Sequence, residues 1–250
     1  MAACAAAACS ISTSLAGLSG PSPGPDALDG GAGDGAAPRA SFCAQLATKP
    51  LLCADFDENA PLDLGWSSTT LTAGGMLDID PIAKSLRSST PVADSPGKVS
   101  AYLSYLLVAK VSRLHVEARL KPLQVSSGGS ITPFSLDQRS SGAYRGLVLY
   151  VDPQGARVQE ETNAPMFVFE SHALAGPVVI GQWQTYGFDF GFGPSSISLE
   201  VSVDGVSKLK VPALKYGWES APISVNAGIA YSLTKDAVSY ELDNIVVDAR

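Results

Sequence analysis

The chain has 250 residues, of which 46% are hydrophobic and 16% charged, with 24 glycines and 17 prolines. That length suits one large β domain with a tail and is short for two α/β domains; the low charge excludes a charge-laced coiled coil or a charged disordered chain. Lys and Arg number 17 against 24 Asp and Glu, a net charge of −7, so nucleic acid is not expected as a partner, because a phosphate backbone needs a basic face.

In chain order, residues 1–9 read MAACAAAAC. The run is too short to span a bilayer, which takes about 20 apolar residues, and it lacks the basic start of a secretory signal. Ala6-Ala7-Ala8-Cys9-Ser10 resembles the end of a bacterial lipoprotein signal, although Ala6 stands where that motif prefers Leu. The expectation is a signal remnant over 1–9 with Cys9 lipidated; the alternative is an ordinary Ala-rich terminus. Residues 10–40 are rich in Gly, Pro, Ala, Ser and Asp with no periodic apolar face. Such a segment buries too little to offset its ordering entropy, and it reads as a flexible tether.

The folded domain is expected over 41–250. Cys43 and Cys53 flank a short segment containing Pro50. A bridge between them would pin the start of the domain and contribute roughly 2–3 kcal/mol; two buried thiols are the alternative. The spacing is not that of a zinc site. Beyond residue 40 no convincing helix is found. Leu114, Val116, Ala118 and Leu120 alternate with Arg113, His115, Glu117, Arg119 and Lys121, and Ile197, Leu199, Val201 and Val203 alternate with Ser198, Glu200, Ser202 and Asp204. Period two marks half-buried strands, and Asp204-Gly205 supplies a type I′ turn into Val206–Val211. Further strands are predicted at Met76–Ile79, Val99–Val108, Leu147–Val151, Met166–Glu170, Trp183–Phe190, Ile223–Tyr231 and Val238–Val247. Gly, Pro, Ser and Asp clusters separate them, the pattern of an all-β, two-sheet antiparallel sandwich.

Several landmarks resemble the concanavalin A-like jelly roll, particularly its laminin-G-like branch. They are Asp55-Phe56-Asp57 followed by Trp66, then Gly181-Gln182-Trp183, the hairpin ending in Asp204-Gly205, and a closing strand with Asp243-Asn244. Together they span about 42–250. With its tail, the chain also resembles surface lipoproteins of Gram-negative bacteria. The resemblance implies a lectin, carbohydrate-binding module, adhesion domain, glycoside hydrolase or polysaccharide lyase, and fold alone does not choose among these. It also implies a structural calcium between the first and last strands, with Asp57 and Asp243 as ligands; the alternative is that Asp55 and Asp57 cap turns. No other cofactor is implied.

The motifs for catalysis are sparse. Hydrolases of this fold carry two Glu on one strand in an E-x-D-x-x-E run, which is absent; Glu160 and Glu161 are adjacent and should face opposite sides. The face bearing Arg113, His115, Glu117 and Arg119 is the closest approach to a lyase site. It becomes one if Tyr144 or Tyr150 meets it from a neighbouring strand, and is ordinary surface if it is solvated. Tyr216 and Trp218 share a loop that could stack on sugar rings, whereas Trp66 and Trp183 are expected in the core. The reading is a secreted or surface-tethered binding module for glycan or extracellular matrix, without catalysis. Its candidate ligand residues are Tyr216, Trp218, Arg113, His115 and Glu117, and it meets the membrane only through a lipid anchor. The alternatives are a divergent polysaccharide lyase or glycoside hydrolase, and a purely structural envelope protein.

Overall fold

A computed structural model describes residues 41–250 except 58–60, 97–98, 141, 164, 175, 177, 220–221 and 250. The expected signal remnant, the tether and the lipidation at Cys9 lie outside the described residues. The domain opens with one helical turn, α1 (Phe42–Gln45), and continues as β1 (Leu52–Ala54), β2 (Ser68–Thr72), β3 (Met76–Asp80), β4 (Ser85–Thr90), β5 (Ser100–Leu107), β6 (Arg113–Gln124), β7 (Ile131–Ser140) and β8 (Ala143–Asp152). The remaining strands are β9 (Gly155–Thr162), β10 (Val168–Leu174), β11 (Gln184–Phe192), β12 (Ile197–Val203), β13 (Val206–Val211), β14 (Ile223–Ile229) and β15 (Val238–Ala249).

These strands form two sheets. The first runs β13-β12-β11-β6-β15-β4-β3, with β1 also paired to β15; the second runs β10-β9-β8-β7-β14-β5-β2. Every pairing is antiparallel. Alternation along β6 puts Leu114, Val116, Ala118 and Leu120 into the core and leaves the charged residues outside, as period two requires. Phe134 of the second sheet stacks on Phe188 of the first at 5.2 Å, a direct tie between the layers.

Two turns show how local chemistry fixes the path. Asp204 and Gly205 both take positive φ, 51° and 74°, which is the type I′ hairpin between β12 and β13. In β15 the register to β6 shifts between Asp243 and Val246, and Asn244 takes φ 50°. This bulge lets Tyr240 and Leu242 before it, and Ile245 and Val247 after it, all reach the core. At the start of the domain Cys43 and Cys53 are bridged, with Cα atoms 5.8 Å apart. The bridge ties α1 to β1, and Asp55 accepts the Cys43 backbone N–H at 2.8 Å. Among the described residues no helix is long and apolar enough to cross a membrane.

Candidate functional site

The outer face of the first sheet carries Arg113, His115, Glu117, Arg119 and Lys121 of β6. Three of its basic side chains meet acids from the flanking strands. His115 Nδ1 lies 2.8 Å from Asp189 of β11, Arg119 lies 3.7 Å from Asp243 of β15, and Lys121 lies 2.8 Å from Glu241. Glu241 is only 2% exposed and also binds Arg87 at 2.9 Å. Trp183 was expected in the core but is half-buried on this outer face, where Arg119 and Lys121 lie over its ring at 4.9 and 5.4 Å. Its place outside follows from its position just before β11, opposite the long cationic side chains of β6. Tyr144 and Tyr150 belong to β8 in the other sheet, so neither neighbours His115 in its sheet.

The outer face of the second sheet is polar and aromatic. Register sets Asp137 of β7 opposite Gly146 of β8, and Gly146 opposite Glu161 of β9. Three donors converge on Glu161 Oε1: the Tyr150 hydroxyl at 2.6 Å, the Tyr231 hydroxyl at 3.0 Å and Gln159 Nε2 at 3.2 Å. The two tyrosine hydroxyls also touch each other. Burial raises the Glu161 pKa while the two hydroxyls oppose it. Burial and the nearby charges raise both tyrosines, so they keep their protons and act as donors. Glu161 and Tyr150 are each 2% exposed; this cluster is interior support for the face rather than a contact surface.

Beside it the face is open. Asp137 accepts Asn226 Nδ2 at 2.8 Å and the Tyr144 hydroxyl at 3.3 Å, and Ser104 donates to Asn226 Oδ1 at 2.7 Å. Tyr144 reaches Asp137 by lying across Gly146, where a Cβ would sit 2.2 Å from its hydroxyl oxygen. Burial first, and the Glu161 charge with it, raise the Asp137 pKa to about 6 against the pull of Tyr144, Arg139 and Asn226. Arg139 is exposed, its guanidinium 5.8 Å from the Tyr144 ring. Tyr102, Ser104, Asp137, Arg139, Ser224 and Asn226 border a depression of about 250 Å³.

The Tyr216–Trp218 loop is pinned from the core side. Glu160 accepts the backbone N–H groups of Lys215 and Tyr216, each at 2.9 Å, and Arg145 Nε donates to the Tyr216 carbonyl at 2.7 Å. Glu160 and Glu161 do face opposite sides. Trp218 is 6% exposed and packs on Phe190 at 6.3 Å. Its buried indole N–H has no hydrogen-bond partner. It borders a depression of about 470 Å³ with Phe192, Pro194, Ser195 and Lys215.

Asp243 rises to about 7, through burial first and then through the charges of Asp57 and Asp55, against the Asn244 N–H and Arg119. Among the described residues no group of three or more His, Cys, Asp and Glu is placed to hold a metal ion. A calcium at Asp57 and Asp243 would therefore draw on further donors.

No family model matches the chain, and no curated protein matches it. Solved structures do. A cellulose-induced protein, Cip1, superposes with a TM-score of 0.58 at 13% identity, over 80% of this chain and 97% of that one. An endo-1,3-β-glucanase from Streptomyces sioyaensis gives 0.56 at 14% identity, over 79% and 95%. The alginate lyase Aly36B gives 0.54 at 10% identity, over 79% and 96%. The fold is the concanavalin A-like jelly roll. The likeness is one of fold: at these identities it carries neither the laminin-G branch nor a lipoprotein assignment.

Of the residues of the open face, Tyr144 was singled out in sequence, but as a partner for His115, and Tyr102, Asp137, Arg139 and Asn226 did not emerge. Asp137 and Arg139 do alternate with Leu136 and Gln138, a period-two signal that Pro133 obscures by suggesting a break.

Proposed function

We propose that the protein is a secreted or surface-held jelly roll that binds a polysaccharide across the outer face of its second sheet. One observation carries the reading. A single open depression brings together an exposed guanidinium, an aromatic ring, a carboxyl group and an amide from β5, β7 and β14. Sugar hydroxyls need donors and acceptors fixed in place, and ring faces need an aromatic wall. The solved structures of the same fold include a glucanase and an alginate lyase, which is support by analogy. The test is a glycan array on the full chain, followed by titration. Arg139→Ala and Tyr102→Ala are each expected to weaken the captured glycan at least about tenfold, and Arg113→Ala to leave it unchanged. Binding untouched by both variants removes the site.

A second site keeps Trp218 as a ligand residue, with Tyr216 and Lys215 beside it. Its support is the unpartnered indole N–H at the edge of the larger depression, since a buried donor without an acceptor costs about 1–3 kcal/mol that a sugar oxygen would restore. Trp218→Phe keeps the packing and removes the donor, so loss of affinity in that variant alone assigns the ligand there.

Arg113, His115 and Glu117 are not required by either placement. A lyase reading would need turnover of alginate or another uronate polymer to unsaturated ends. A structural calcium at Asp57 and Asp243 is tested by melting the protein with calcium and with chelator, the shift being expected to vanish in Asp243→Asn.

A further inference from the structure

The outer face of the first sheet holds an arrangement separate from the glycan face. Gly187 of β11 pairs in register with Ser202 of β12 on one side and Glu117 of β6 on the other. Its missing side chain leaves a gap that the Ser202 hydroxyl enters. A Cβ there would lie 2.6 Å from Ser202 Oγ and 3.9 Å from His115 Cε1, so hydroxyl and imidazole overhang the same bare stretch of backbone. Two residues along β11, Asp189 stands opposite His115 and binds its Nδ1 at 2.8 Å. A carboxylate on Nδ1 holds the proton there and leaves the lone pair on Nε2. Three adjacent strands thus bring together a hydroxyl, an imidazole and an orienting acid.

We infer that Ser202, His115 and Asp189 form a nucleophilic site for short acyl esters, with Ser202 as nucleophile, His115 as general base and Asp189 as its positioning residue. The side chains of His115 and Asp189 are 38% and 56% exposed, and these residues line neither depression. An exposed site of this kind suits a small acyl group, such as acetyl, carried on an exposed hydroxyl.

Ser202 Oγ attacks the ester carbonyl carbon while its proton passes to His115 Nε2. The tetrahedral adduct collapses, the bond from carbon to the alcohol oxygen breaks, and the alcohol leaves with that proton. Water, deprotonated by the same imidazole, then attacks the acyl-Ser202 carbonyl; the acid departs and the serine hydroxyl is restored. The register between β12 and β13 shifts at Val201/Ser202 and skips Lys208. The apposition of serine and base is commonly looser before substrate binds.

The groups around the imidazole set the pH range. Burial lowers the His115 pKa, but the Asp189 hydrogen bond and the charges of Asp189, Glu117 and Asp248 outweigh it and leave it raised above the usual 6.5. Glu200, opposite Asp189 on β12, is itself paired to Lys210 at 3.1 Å. The neutral base therefore appears only as pH rises through that elevated value.

The experiment uses the full chain with p-nitrophenyl acetate and a fluorophosphonate probe. The expected result is one phosphonyl adduct mapped to Ser202. Nitrophenol release should climb with pH and fall at least about a hundredfold in Ser202→Ala and in His115→Ala. Asp189→Asn should lower the rate and move the pH profile to lower pH, and Gly187→Ala, which fills the gap, should slow labelling. Melting temperatures separate lost chemistry from lost fold. No adduct at Ser202 in the unaltered chain overturns the site, whatever the variants do. Release that survives Ser202→Ala but not His115→Ala marks imidazole acting alone and also overturns it.

Discussion

Asp243 shows how a single residue writes itself into the stability of the fold. Its carboxyl stands at 3.8 in a reference chain and at about 7 in the folded protein. Between those values the folded state holds the proton more tightly, so stability falls as pH rises from about 4 to about 7. Asp137, raised to about 6, adds a slope of the same sign over the lower part of that window. Asp243→Asn is expected to flatten the upper part and to gain about 2 kcal/mol at pH 8, measured by urea denaturation at several pH values. An unchanged slope would mean that Asp243 titrates normally. The Glu161 cluster predicts the opposite kind of change. Tyr150→Phe and Tyr231→Phe each remove a donor from a buried carboxyl, at a cost of about 1–3 kcal/mol apiece. Denaturation of the two single variants and the double variant would show whether the costs add. None of this cluster was legible in sequence. Glu161 and Tyr150 are 11 residues apart, but Tyr231 arrives from 70 residues beyond Glu161, and no local pattern announces such a meeting.

At the scale of elements, legibility followed the chemistry of the two faces. β6 and β12 alternate apolar with charged residues because one face is core and the other solvent, and both were predicted, as was the Asp204-Gly205 hairpin. β9 was missed. Its sequence GARVQEET reads as a polar loop, yet Gln159, Glu160, Glu161 and Thr162 are all buried, Glu160 beneath the Lys215 and Tyr216 N–H groups and Glu161 beneath the Tyr150 and Tyr231 hydroxyls. β4, SLRSST, was missed for a related reason: Ser88 sits in the core side of its strand by donating to the Ala101 carbonyl at 2.7 Å. α1 is a single turn of four residues with none buried, held by the bridge and by Asp55, so periodicity has nothing to detect there. The bridge itself was read correctly. Replacing Cys43 and Cys53 by Ser is expected to cost roughly 2–3 kcal/mol. The sign to look for is early hydrogen exchange confined to β1 and the edge of β15 it covers. Uniform loss of protection would instead place the bridge in the global folding unit.

For the whole molecule, the two sheets pack core face to core face, and the Phe134–Phe188 stack is a direct contact between them. Phe134→Ala opens a cavity at the tie to Phe188 and is expected to cost about 3–5 kcal/mol, seen as a lower denaturation midpoint with an unchanged slope. A variant no less stable would show that the layers are held elsewhere. The sandwich also separates its chemistry: the polar and aromatic groups proposed to bind a glycan lie on one outer face, and Ser202, His115 and Asp189 on the other. The Cys43–Cys53 bridge gives this domain a mechanical property as well. Tension arriving from the N-terminal side passes from Cys43 directly to Cys53 and into the β1–β15 ladder, while the residues between the two cysteines carry no load. Reduction places that slack in series, so a single-molecule pull should show roughly 30 Å of added contour length before the first strand peels from the last.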